Sequence, residues 1–143
     1  MVIAALALAG IFLSLYLLLY KLGMVGSLSC AVGSCETVNT SKWATFLGLP
    51  VAGWGVGFYT VTFVAALFST SERNEGSRTV GLALVTLLAT GVLFSAWLTY
   101  LELFVIHAIC QWCVVSAILV TVMLVVGIMD LRATDAGSTI EPV

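Results

Sequence analysis

Charge is what this sequence has least of. Of its 143 residues, five are Lys or Arg, seven are Asp or Glu and one is His, so only 8% are charged and the net charge is −2. A soluble domain carries about a quarter charged residues, and so small a surface cannot enclose a chain that is 62% hydrophobic. With a mean hydropathy of +1.19, lipid is the expected solvent. There is no basic cluster, which excludes nucleic-acid binding as a main activity. Alternating strand patterns, internal repeats, low-complexity tracts and haem or flavin motifs are also missing, and lipid does not tolerate open sheet edges.

What remains is helix. Val2 to Tyr20 runs uncharged up to Lys21, Trp43 to Ser71 up to Glu72, Thr79 to Leu101 up to Glu102, and Leu103 to Met129 up to Asp130. Each reaches or exceeds the roughly 20 apolar residues that a helix needs to cross the hydrocarbon layer. The first stretch lacks a basic leader and an A-x-A site, so it reads as a retained span rather than a cleaved signal. Ser27-Leu28-Ser29 ahead of Cys30 has Ser where a lipoprotein site has an apolar residue, three positions upstream. The expected fold is a four-transmembrane-helix bundle, all-α, forming a single membrane domain over 1–143. Its spans lie near 2–20, 49–68, 79–101 and 106–129, with a cysteine-bearing loop over 21–48 and a disordered tail over 130–143.

Pro50 suits the first turn of a helix, so span 2 should start near Leu49 or Pro50. Ser41 to Leu47 then becomes a short interfacial helix, with Trp43 and Phe46 towards lipid and Lys42 towards water. Gly53 and Gly57 form a GxxxG that would let a helix or flat ligand approach the backbone closely, though helix packing alone would account for it.

Four cysteines stand out. Cys30 and Cys35 follow span 1, and Cys110 and Cys113 open span 4. In an antiparallel four-span chain the 1–2 and 3–4 connections lie on the same side, so all four thiols share one face. Arg73, Arg78 and Arg132 flank the opposite side, against Lys21 and Lys42 here, which puts the cysteines on the extracytoplasmic face of the cell membrane. Persistent disulfides need such an oxidising compartment.

Cys110-Gln111-Trp112-Cys113 at a helix N-terminus sets two sulfurs on one face, where the helix dipole favours a thiolate. Such a pair cycles between dithiol and disulfide. Cys30-Ala31-Val32-Gly33-Ser34-Cys35 sits in a loop from which a disulfide can open and pass its oxidation on by exchange. Two other readings stay open. Structural disulfides are one, although a helical C-x-x-C closes almost no loop. A zinc site of all four thiolates is the other, and its spacing fits. His107, one helical turn before Cys110, could stabilise the thiolate or move a proton. Glu102 falls at the 3–4 turn within reach of water, so it carries little functional signal.

Oxidising two thiols releases two electrons and two protons, the complement that converts a lipid-soluble quinone to its quinol. Cysteines at the lipid boundary can deliver it through a thiolate adduct, and Trp43, Trp54, Phe58 and Trp112 are candidates for the flat apolar pocket.

The run Cys30-x4-Cys35, Ser41-Lys42-Trp43, Gly48-Leu49-Pro50-Val51, Tyr100-Leu101-Glu102 and Cys110-x-x-Cys113 resembles the vitamin K epoxide reductase family over nearly the whole chain. The other bacterial quinone-reducing family of four-span proteins carries its C-x-x-C first, the reverse of the order here. The resemblance implies a bundle around a quinone, with Cys110 and Cys113 as the active-site pair and Cys113 facing the ring. It implies that Cys30 and Cys35 are the shuttle pair, with Cys35 meeting a thioredoxin-like partner and Cys30 meeting Cys110. It also implies that Ser41 is the Ser/Thr near the quinone.

Three departures shape the expectation. The loop cysteines are closer together than is usual in the family. A fused thioredoxin-like domain, common in bacterial relatives, has no counterpart before Val143, so the partner is expected to be a separate protein. Val51 and Ala117 fall where vertebrate members use Asn and Tyr to hold vitamin K. The last of these favours ubiquinone or menaquinone reduction coupled to disulfide formation. Vitamin K or its epoxide is the alternative substrate within the class, and a non-enzymatic membrane protein with structural disulfides is the alternative outside it.

Overall fold

The computed structural model describes residues 2–24, 26, 42–71, 73 and 77–140. Among them are four helices long and apolar enough to cross a membrane. They are α1 (Val2–Lys21), α2 (Val51–Ser69), α3 (Arg78–Leu101) and α4 (Gln111–Ile140). Their backbone donors and acceptors are paired within each helix, the condition lipid imposes. Large apolar side chains such as Phe12, Phe68, Leu93 and Ile118 point outward. In water these would be a liability, whereas in a bilayer they are the solvated surface. The protein is a multi-pass membrane bundle.

α1 packs chiefly on α2 and α3 chiefly on α4, with α1 against α4 and α2 against α3 closing the ring. Two buried clusters hold it together. One runs through Ala7, Tyr59, Leu88, Val120 and Met123 in the middle of the bundle. The other gathers Leu17, Cys110 and the half-buried Trp112 and Cys113 at the end where α1 finishes and α4 begins.

Close helix approach does not follow the GxxxG. Gly53 has only ordinary contact with Leu18 at 3.7 Å, and Gly57 has no neighbour within 4 Å. The tight contacts fall on Gly10, which receives the Tyr59 ring, on Gly55, where an added Cβ would lie 2.8 Å from Ser14 Oγ, and on Gly91, which receives Phe58. Gly53 and Gly57 share one face of α2, but neighbouring helices press on other positions, so the motif is not the packing seam.

Three boundaries also differ from expectation. Ser41 lies outside the described residues, and the segment after it is not an interfacial helix. Lys42–Ala44 is a single 3-10 turn, followed by strands β1 (Thr45–Phe46) and β2 (Leu49–Pro50). The strands pair antiparallel, with Thr45 opposite Pro50 and Phe46 opposite Leu49. Leu47 (φ 53°) and Gly48 (φ 81°) both take positive φ, the twist that a two-residue hairpin loop demands. Span 4 begins at Gln111 rather than near residue 106, because α3 runs on into a π-helical turn, Glu102–Ile106, that His107 ends in the left-handed conformation (φ 56°, ψ 34°). Finally, α4 continues to Ile140 where a disordered tail was expected. Residues 130–140 contain no proline, and extending an existing helix needs no new nucleus.

Candidate functional site

The turn between α3 and α4 is built on Glu102. Its carbonyl accepts the His107 N–H and, at 3.0 Å, the Ala108 N–H, closing the end of the π turn. Its carboxylate Oε2 accepts the Cys110 N–H at 3.3 Å. One residue thus fixes both ends of the connection that delivers the cysteines. Glu102 is 4% exposed, so the expectation that water reaches it is overturned. The π turn carries it inside the bundle instead of leaving it at the helix tip.

Cys110 sits immediately before α4, and its carbonyl accepts the Val114 N–H at 3.1 Å, the first hydrogen bond of that helix. It is wholly buried, while Cys113, one turn on, is partly exposed, and both are thiols in this structure. A hydrogen bond from the Cys113 side chain pulls the Cys110 thiol down to about 7. The Cys113 and Trp112 backbone N–H groups at the helix N-terminus add to it, against burial and the neighbouring Glu102 charge, which push the other way. A thiol titrating there is about half thiolate at neutral pH. The Glu102 carboxyl is also hydrogen-bonded to the Cys113 side chain.

Cys113 opens onto a cavity of about 350 Å³ lined by all four helices and the hairpin. That volume is within the range of small-molecule sites. The wall is mostly apolar and aromatic, with Trp54, Phe58 and Phe94 among its rings. Its polar groups are few. Tyr59 donates to the Ser116 carbonyl oxygen at 3.1 Å, its Oη stands 2.7 Å from Ser116 Oγ, and Ser14, Thr90, Ser95 and Glu102 also line the wall.

Phe46 of the hairpin packs edge-on against Trp54, Phe94 and Trp97 at centroid distances of 6.2, 6.0 and 6.1 Å. The Trp54 Nε1–H donates to the Phe46 carbonyl oxygen at 2.9 Å. Trp43, with the Lys42 ammonium 5.2 Å above its ring, lies on the same wall. Both rings expected to anchor in lipid therefore line the cavity, because the hairpin folds back across α2 and α3 instead of lying flat as a helix.

Of the residues singled out in the sequence, Cys113, Trp43, Trp54 and Phe58 meet at this cavity. Trp112 does not line it and packs edge-on against Tyr16 at 5.7 Å. Cys110 lies behind Cys113 rather than on the wall. The exposed His107 is not a helical turn from Cys110, since its left-handed backbone breaks the helix between them. Cys30, Cys35 and Ser41 lie outside the described residues.

Sequence reasoning missed Glu102, Tyr59 and Ser116. Glu102 left a trace that could have been followed: the stretch from Thr79 to Met129 has no other Asp, Glu, Lys or Arg. Polar residues such as Tyr59 and Ser116 inside spans give no comparable signal.

A redox-capable dithiol with one thiol on the wall of an apolar, membrane-embedded cavity is the setting for passing electrons to a flat lipid-soluble acceptor. Residues 1–128 match the sequence profile of the Vitamin K epoxide reductase family. The chain belongs to that family and is a multi-pass membrane oxidoreductase of the quinone-linked thiol type.

Proposed function

We propose that the protein is a thiol:quinone oxidoreductase that takes electrons from a separate thioredoxin-like protein and reduces ubiquinone or menaquinone. The reaction supports disulfide formation in extracytoplasmic proteins. In this reading Cys30 and Cys35 are the shuttle pair in the loop, and Cys110 and Cys113 are the active-site pair. The cysteines face the extracytoplasmic side of the cell membrane.

The observation that carries the reading is the placement of Cys113 on the cavity wall with Cys110, held near neutral titration, directly behind it. Once the quinone has oxidised the pair, Cys110 is the sulfur of the Cys110–Cys113 disulfide suited to receive a loop thiolate, which returns the pair to the dithiol by exchange. Cys113 is the one placed to hand electrons to a ring between Trp54, Phe58 and Phe94. Electrons and protons balance: two S–H bonds break, one S–S bond forms, and the quinone gains two electrons and two protons. In size and polarity the cavity suits a quinone head group, with a hydroxyl pair, Tyr59 and Ser116, and one carboxyl to meet ring oxygens. Ser41 is the further residue proposed beside the ring. Val51 lies on the cavity wall, an apolar group where vertebrate members present Asn, which favours plain quinone reduction over epoxide chemistry.

Stopped-flow absorbance of the purified protein mixed with a quinone and a reduced thioredoxin-like protein tests this. Wild type should consume quinone, and Cys113→Ala and Cys35→Ala should not. Absence of turnover with ubiquinone, menaquinone and vitamin K alike would remove the enzyme reading.

A further inference from the structure

We propose that the Glu102 carboxylate is the proton carrier between the Cys113 thiol and the quinone in the cavity. The inference rests on the quinone chemistry proposed above and adds the residue that moves the proton. Three observations converge on it. Glu102 is almost completely buried, and it is the single carboxylate among the described residues that line the cavity. Its other ionisable neighbours on that wall are Cys113 of α4 and, farther along the bundle, Tyr59 of α2. Its carboxyl is hydrogen-bonded to the Cys113 side chain, so it touches a reacting atom. Its backbone is pinned by two N–H groups and its Oε2 by the Cys110 N–H. It is therefore held where the proton must leave, and a proton cannot leave Cys113 through the apolar wall unaided.

Cys113 gives its proton to Glu102 as the Cys110–Cys113 S–S bond forms and the electron pair passes to the quinone. Glu102 then donates that proton to one ring oxygen. The Cys110 proton is released to water, from which the second ring oxygen takes its own. Glu102 ends as it began, a carboxylate.

A purely structural role would need only an acceptor for the Cys110 N–H, and glutamine supplies one. Glu102→Gln therefore separates the two roles. In single-turnover mixing of the dithiol protein in lipid nanodiscs with ubiquinone-1, Glu102→Gln should slow quinone loss by at least about a hundredfold, the usual worth of a positioned acid–base group. Quinone affinity, read by quenching of tryptophan fluorescence, and the melting temperature should be unchanged. A Glu102→Asp and Glu102→Asn pair guards against misfolding of the first variant, and Asp should outpace Asn by about tenfold or more.

Glu102→Gln reducing quinone at the wild-type rate, or equal rates in the Asp and Asn variants, would overturn the proposal while leaving the quinone reading standing. So would a rate loss in Glu102→Gln that weakened binding fully explains. Wild type that fails to reduce the quinone would remove both.

Discussion

Tyr59 on α2 is tied to Ser116 on α4 across the cavity, its Oη 2.7 Å from the serine Oγ and 3.1 Å from the serine carbonyl oxygen that it donates to. These two helices are not the main packing partners in the ring, so the pair supplies a polar link where apolar contact is thin. Tyr59 is 2% exposed. Tyr59→Phe keeps the ring that fills the notch at Gly10 and removes only the hydroxyl. The expected cost is about 1 kcal/mol, the net worth of a typical buried hydrogen bond. Thermal unfolding in nanodiscs should show it as a lowered midpoint, and Ser116→Ala should give a similar loss. Because the two remove the same contact, the double variant should cost less than the sum.

The titration of Cys110 gives stability a direction with pH. The thiol is lowered from 9.0 to about 7 in the folded protein, chiefly by the Cys113 side-chain hydrogen bond. Below 7 both folded and unfolded chains hold the proton and nothing is gained. Between about 7 and 9 the unfolded chain still binds a proton that the folded one has released, so stability rises with pH. The gain is complete above 9 and is lost as pH falls through 7. Reduced wild type should therefore resist denaturation better at about pH 8.5 than at about pH 6. Cys110→Ser and the oxidised protein should lack this increment, and ultraviolet thiolate absorbance should show the same midpoint near 7.

The hairpin over the cavity is held by one side-chain hydrogen bond and an aromatic stack. Trp54 Nε1–H bonds the Phe46 carbonyl oxygen at 2.9 Å, and Leu47 at its tip is 77% exposed with positive φ. Nothing about Leu47 compensates for the left-handed backbone, so the latch and the aromatic stack on Phe94 and Trp97 must keep the turn in place. Trp54→Phe retains a ring and loses the bond, weakening the latch by about 1 kcal/mol. Hydrogen exchange at the β1–β2 amides should quicken about fivefold, with exchange in the middle of α3 unchanged.

Much of this fold was written in the pattern of charge. Lipid requires each crossing to be one uninterrupted helix, so Lys21, Glu72, Glu102 and Asp130 as punctuation gave four spans close to those observed. The same rule misplaced Glu102. A lone charge at the end of an apolar run looks like a helix tip, and only the π turn, closed by His107 in a left-handed conformation, shows that the chain carries it inward. The two residues of the hairpin tip were equally opaque. Gly48 marks a turn, but Leu47 has no local preference for positive φ, so tertiary contacts chose the strand pairing over a helix. The cysteines were legible because few residue types do their chemistry. The cavity wall was only half legible, since a Trp in a membrane protein belongs as readily to an aromatic belt as to a pocket, and Trp112 beside Tyr16 is not on the cavity wall.

Two glycines separate a packing role from a sequence motif. A Cβ at Gly91 would run into the Phe58 ring and lie 3.0 Å from Val120, whereas at Gly57 it would meet nothing within 4 Å. Gly91 sits in the middle of α3, and Phe58 is part of the cavity wall, so the ring can yield only by moving into the cavity. Gly91→Ala should cost about 1–3 kcal/mol from overpacking and raise the KM for quinone as the cavity narrows. Gly57→Ala, although it breaks the GxxxG, should leave KM unchanged and stabilise α2 slightly, since alanine favours helix over glycine by up to about 1 kcal/mol. Unfolding midpoints and quinone titrations on the two variants check this directly. If Gly57→Ala were the damaging one, α2 would have to pack through the motif and not through Gly55, and the bundle would be assembled differently from the arrangement described.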